Sequence, residues 1–540
     1  MRHILLAPML VLLGATAASP QPAPFELPAG SWCGDPIAPD GPPTLLAGYG
    51  GGGFTIRTKS PQAQAFFNNG MQLAHAFAHK AAIAAFQEAR RLDPDCAMCA
   101  WGEAWSAGPT INYGVTPAEA KKLAEIAGTA ERLAADAPAS ERGYIAALKL
   151  RYPAKGDGNR AFADAMDALA KASPNDDEIA TIAADALMIA SKYTPASMTR
   201  PVELLEAVLK RSPDYTPAIH FYIHATEIAG FPERAEKFAD RLPVLAPSAS
   251  HLVHMPGHTY YWIGRYDDAA LANVHAVALG HENAARLKLP EPDGVWTLAY
   301  HGHNVHFGLA GALMAGDAPS GLALARPTIE AAAHAGTMPR FRQIVLGMAY
   351  IAVARFAPPE QMFGLADPGT ANPAAQAQWH YARGEALVAR GDTEAILREA
   401  GAIPQQMDGD KSGMSRRIFA LSRYVLQGRV AMLQGRYDKA ARIFAKAAKI
   451  EETKPLSEAT DPPAWWYPVR RDVAAALLAA GDAKGALAAA DASLKRRPRD
   501  PIALATRAQA EAKLGHAAAA SHDVALARAG WRGRRDSIGG

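Results

Sequence analysis

A period of 34 residues runs through this chain and constrains its fold more than any other feature. The pentapeptides His220-Phe-Tyr-Ile-His224 and His254-Met-Pro-Gly-His258 stand 34 residues apart, histidine for histidine. Gly230 and Ala235 recur at the same interval as Gly264 and Ala269, and Gly481 and Ala486 recur as Gly515 and Ala520. A unit of this length holds two helices and a turn and is too small to bury its own apolar face. Copies must therefore stack, and equivalent positions in adjacent copies point the same way. The four pentapeptide histidines are expected on neighbouring rungs of one surface.

Composition sets the outer bounds. The chain has 540 residues, 49% of them hydrophobic, which is ample for a large core and too long for one ordinary domain. A net charge of +3 leaves no electrostatic footprint for nucleic acid. No apolar run of about 20 residues follows the N-terminus, so no membrane-spanning helix is expected. The N-terminus itself reads as an export signal over residues 1–18: Arg2 and His3, an apolar stretch from Leu5 to Gly14, then Ala15-Thr16-Ala17-Ala18. Prolines at 20, 22, 24 and 28 stop that stretch from continuing as helix. A periplasmic or secreted protein is the expectation.

Residues 19–59 are Pro- and Gly-rich and read as an extended arm. From about residue 60 the chain is Ala-rich helix with short turns. The small and aromatic residues fall in a fixed register: Gly70, Ala82, Phe86, Ala89 and Pro94, then Gly428, Gly435, Tyr437, Ala440, Phe444 and Ala447. Gly230, Ala235 and Pro247 set one repeat near the histidines, and Gly257, Gly264, Tyr266 and Ala269 the next. In this register the chain resembles the tetratricopeptide-repeat (TPR) superfamily over most of residues 60–530. The resemblance implies an all-α helical solenoid. The chain divides into an N-terminal solenoid (60–355), a Pro-containing hinge (356–376) and a C-terminal solenoid (377–535).

The resemblance also implies which residues face the concave groove, namely positions 2, 5, 9, 12 and 13 of each first helix. His220, His224 and Glu227 fall at positions 5, 9 and 12 of one repeat. His251, His254 and His258 fall at 2, 5 and 9 of the next, and His303 and His306 at 2 and 5 of a third. Steps of three and four residues keep side chains on one helical face. Seven histidines and a glutamate are thus expected on one concave patch. Imidazole suits transition metals, and export favours copper or zinc over ferrous iron. Eight candidate ligands exceed the needs of one four-coordinate ion, so a binuclear site is accommodated. Glu227 is a ligand, a partner orienting an imidazole, or a general base. His75 and His79 are assigned to surface or packing roles, and Tyr222, Tyr260, Tyr261 and Trp262 to packing.

Over a short stretch, His254, Met255, Pro256, His258, Gly264 and Asn273 resemble a motif of bacterial relatives of tetratricopeptide repeat protein 38, with Gly257 where that pattern often has Ser. The resemblance brings no reaction with it. Cys96 and Cys99, at the start of a helix, lack the following His of a haem-attachment site. A local disulfide, a redox pair, a soft-metal site with Met98 and free thiols all remain open, and Cys33 stays single or bridges to the pair. No phosphate loop, nucleophile elbow or His-Glu-x-x-His motif is present. Two functions follow as expectations: an exported metalloprotein, with oxidase or hydrolase chemistry, or a metal-free scaffold whose groove binds a peptide or protein partner.

Overall fold

The computed structural model describes residues 43–153 and 155–534. The proposed signal peptide, Cys33 and the first part of the arm lie outside them. Among the described residues the chain is all-α: helices joined by short turns, with a single isolated bridge between Thr460 and Pro463 and no β-strand. Most of the longer helices pack chiefly on a helix adjacent in the chain, as a stack of helix pairs requires.

The small-residue register works by close approach. A Cβ built on Gly70 would sit 2.8 Å from the Phe86 ring, and one on Gly102 only 2.3 Å from it. Phe86 therefore fills the notch between the first helix of its own repeat, Pro61–His75, and the first helix of the next, Ala97–Ser106. Gly428 and Phe444 repeat this contact in the C-terminal half. This is a tetratricopeptide-type solenoid read from its own packing. Gly230 and Gly264 end successive first helices at φ +86° and +85°, a left-handed turn that L side chains resist.

Two departures from an open stack position the site. Residues 43–57 are neither helix nor strand and lie across several repeats: the Gly51 amide donates to Thr216 Oγ1 (2.6 Å), that of Gly53 to Glu178 Oε2 (3.2 Å) and that of Arg57 to Glu141 Oε1 (2.6 Å). At the other end the chain curls back on its middle. The Tyr261 hydroxyl donates to the Trp466 carbonyl (2.7 Å), Tyr266 to that of Pro498 (2.8 Å), and the Arg532 amide to that of Ala315 (2.8 Å). One apolar core runs from Tyr49 to Ala490. The 356–376 segment contains the short helix Pro359–Phe363, whose Met362 is buried in that core. Cys96 and Cys99 are disulfide-bonded at the N-terminus of their helix and fully buried.

Candidate metal centre

Three first helices carry the site. Thr216–Ala229 supplies His220, His224 and Glu227, and His301–Ala315 supplies His303. Between them the second pentapeptide is split into Ser250–His254 and Pro256–Ile263. Pro256 has no N–H to continue the ladder, so the helix restarts there. His254 and His258 remain on one face across the break, with Nε2 atoms 2.9 Å apart.

The histidines form two triads whose ligand atoms converge: His220, His224 and His251, and His254, His258 and His303. In each group the atoms lie within 4.8 Å of one another. A third group, His224, Glu227 and His258, joins the two. His306 does not take part. Its ring turns toward Phe341, at 6.0 Å, and neither ring nitrogen has a hydrogen-bond partner.

The expected open groove is closed over. His220, His254 and His258 have no exposed surface, and His224, His251 and Glu227 very little. Neighbouring aromatic residues and the returning C-terminal half cover the groove. Phe77, from the turn after Pro61–His75, stacks on His251 at 4.8 Å and meets His220 edge-on at 4.5 Å. Tyr300 lies against His251, and Phe307 against His254, His258 and His303. From the C-terminal half, the 459–465 turn brings in Asp461, with Oδ1 3.4 Å from His303 Nε2 and 3.5 Å from His258 Nδ1.

Proton bookkeeping fixes the tautomers. A carbonyl only accepts, so His220 Nδ1, 2.7 Å from the His75 carbonyl oxygen, must donate, leaving the Nε2 of the neutral ring a lone pair. Asn273 donates its Nδ2 to the Ala269 carbonyl, which orients its Oδ1 to accept from His254 Nδ1 at 2.6 Å. Glu227 accepts from His258 Nδ1 at 2.7 Å and, through its other oxygen, from Trp262 Nε1 at 2.6 Å. His254 and His258 thus each spend their one neutral-ring N–H on a partner, and their Nε2 lone pairs face each other at 2.9 Å. Such an arrangement repels unless a cation, a proton or a metal ion, sits between. Ring nitrogens held by a carboxylate, an amide oxygen and a backbone carbonyl are the usual way of aiming imidazoles at a metal.

Electrostatics keep most of these rings neutral. Burial, and then neighbouring imidazoles, hold His224, His251, His254 and His303 well below the ordinary histidine range, and burial takes His220 down to about 3. These rings are neutral and able to bind near pH 7. Burial pulls His258 the same way, but the Glu227 and Asp461 carboxylates outweigh it and hold its pKa above the ordinary value.

Sequence reasoning missed four contributors. Asp461 comes from a turn far along the chain, and the His75 carbonyl is backbone, which no side-chain pattern reveals. Asn273 was in the quoted motif but without a role, and Trp262, assigned to packing, also anchors Glu227. Its conjunction with His254 at fixed spacing was the one available signal for Asn273.

No protein-family model and no curated protein matches the chain. Solved structures similar to it include the TPR domain of P58(IPK), at 14% identity and TM-score 0.20, covering 67% of this chain and 94% of that one. The human IFIT1 dimer with PPP-AAAA is similar at 12% identity and TM-score 0.30, covering 87% and 91%. The Naa15/Naa10 complex bound to HypK follows at 13% and 0.23, covering 88% and 71%.

Proposed function

We propose that this is an exported metalloprotein in which the two histidine triads hold a pair of transition-metal ions, copper or zinc, for oxidase or hydrolase chemistry. The observation that carries the reading is the head-on approach of His254 Nε2 and His258 Nε2, with both Nδ1 positions already committed as donors. Two nitrogens bound tetrahedrally to one zinc lie about 3.3 Å apart, so the 2.9 Å gap accepts an ion with a small outward shift. Once bound, such an ion supplies Lewis acidity and lowers the pKa of a coordinated water. Glu227 orients His258 and, with Asp461, places carboxylate oxygens beside the ligands to take up a proton. The Cys96–Cys99 disulfide suits an oxidising compartment and supports the periplasmic or secreted reading. The resemblance of the His-Met-Pro-Gly-His segment and Asn273 to bacterial relatives of tetratricopeptide repeat protein 38 supports a kinship with them.

The alternative, a metal-free scaffold gripping a peptide, has the helical stack in its favour. Burial of the imidazoles counts against it, since they offer a peptide almost no surface. Elemental analysis of untagged protein separates the two. About one to two equivalents of copper or zinc are expected, falling after His220→Ala and His254→Ala. Metal below about 0.2 equivalents before and after reconstitution would sink the metalloprotein reading, and loss of a captured partner in those variants would establish the scaffold.

A further inference from the structure

Beside the centre lies a cavity of about 670 Å³. Glu227, Trp262, Thr460, Lys495 and Arg497 are among the residues that line it, and four further glutamates, Glu233, Glu236, Glu451 and Glu452, share the lining. Arg497 is the odd residue. It is only 6% exposed, yet among the described residues no carboxylate lies within ion-pairing distance of it. One Nη donates to the Arg496 carbonyl at 2.7 Å, the guanidinium also hydrogen-bonds the Tyr261 hydroxyl, and Nε has no partner. Glu451, whose carboxylate feels its charge, is already bonded to Arg496 and to the Val469 amide. The guanidinium lies 4.3 Å over the Trp262 ring and 5.2 Å from that of Tyr261. A buried guanidinium is costly without a counter-charge, and its planar fork suits two oxygens of one anion.

We infer that Arg497 is the anchor of an oxyanion subsite, so that the cavity takes a small organic carboxylate or phosphate with its anionic end on Arg497 and its far end toward Glu227. Trp262 ties the two ends together, stacking under the guanidinium while its Nε1 donates to Glu227. The inference rests on the metal reading only for what the far end meets; the anchor itself needs no metal.

Titration calorimetry of the full chain with inorganic phosphate and, separately, with succinate tests this, in protein stripped by chelator and in protein reloaded with zinc. At least one anion is expected to bind the stripped wild type, and Arg497→Gln to weaken that binding about tenfold or more. Arg497→Lys, which keeps the charge without the planar fork, falls between. Binding of phosphate alone assigns a phosphorylated ligand and of succinate alone a carboxylate. Equal affinities for wild type and Arg497→Gln, or no binding of either anion to stripped wild type, overturns the subsite. Binding that needs zinc and survives Arg497→Gln puts the anion on the metal, overturning the subsite and leaving the metal reading standing. Arg497-dependent binding by protein that takes up no zinc does the reverse. Should Arg497→Gln fail to fold by circular dichroism, Arg497→Lys carries the comparison.

Discussion

Asn273 Oδ1 stands 2.6 Å from His254 Nδ1, although 19 residues and a helix turn separate them in sequence. The amide cannot be replaced by a donor at that point, because the ring nitrogen opposite is itself a donor. Asn273→Leu should leave His254 free to take the other tautomer and lower metal affinity about 10- to 100-fold. Competition with a chromophoric chelator reads this, and Asn273→Asp, which still accepts, should retain most of the affinity. Equal affinities for Leu and wild type would remove Asn273 from the site.

Asp461→Asn keeps the shape of the side chain and removes its charge. With Oδ1 3.4 Å from His303 and 3.5 Å from His258, the carboxylate is placed to offset the charge of a bound ion. The variant should bind metal about tenfold or more weakly while melting like wild type once both are stripped. A drop in the melting temperature of the stripped variant alone would make Asp461 a structural contact instead.

Metal bound only by the folded chain stabilises it by about 4 kcal/mol at a thousandfold excess over the dissociation constant. Ligand imidazoles must be neutral, and His258, which Glu227 and Asp461 hold above the ordinary histidine range, is the one at which a proton competes, so the gain fades as pH falls. Chelator should therefore lower the melting temperature by several degrees at pH 7.5 and by much less at pH 5. His224→Ala with His258→Ala should abolish the difference at both. An unchanged melting temperature at pH 7.5, in protein shown to contain metal, would move the metal elsewhere.

His306 provides an internal control. Burial alone takes its pKa down to about 4. A folded value below the unfolded one near 6.5 means the unfolded chain binds the extra proton. Stability from keeping this ring neutral is complete above pH 6.5 and is lost as pH falls toward 4. Between pH 8 and pH 5 the loss is about 2 kcal/mol. His306→Leu should unfold at higher denaturant concentration than wild type at pH 5, relative to the pair at pH 8, with metal content unchanged. Reduced metal content would return His306 to the ligand set.

The repeat period made the stack legible, because Gly70, Phe86, Gly428 and Phe444 touch within a repeat or between neighbours. The same local logic brought His220, His224, His254 and His258 together, along with Glu227. It failed where the chain meets itself at long range. Asp461 reaches the site only because the C-terminal repeats curl back through Tyr261 and Trp466, and that curvature accumulates from small rotations spread over many helix pairs. At His306 the geometry departs from that register: the insertion before it ends at Tyr300, at φ +68°, and in the helix that follows His303 joins a triad while His306 lies near Phe341.

The return of the C-terminal repeats onto the middle of the chain divides the centre into a local part and a long-range part. The two triads lie wholly within residues 220–303, so they can form as soon as three adjacent repeats have stacked, while Asp461 is still far away. A chain caught at that stage presents bare imidazoles to whatever ion is at hand. Asp461 reaches them only through contacts made far along the sequence. If the triads hold metal as proposed, exchange of that ion is tied to loosening of the long-range packing that brings Asp461 to them.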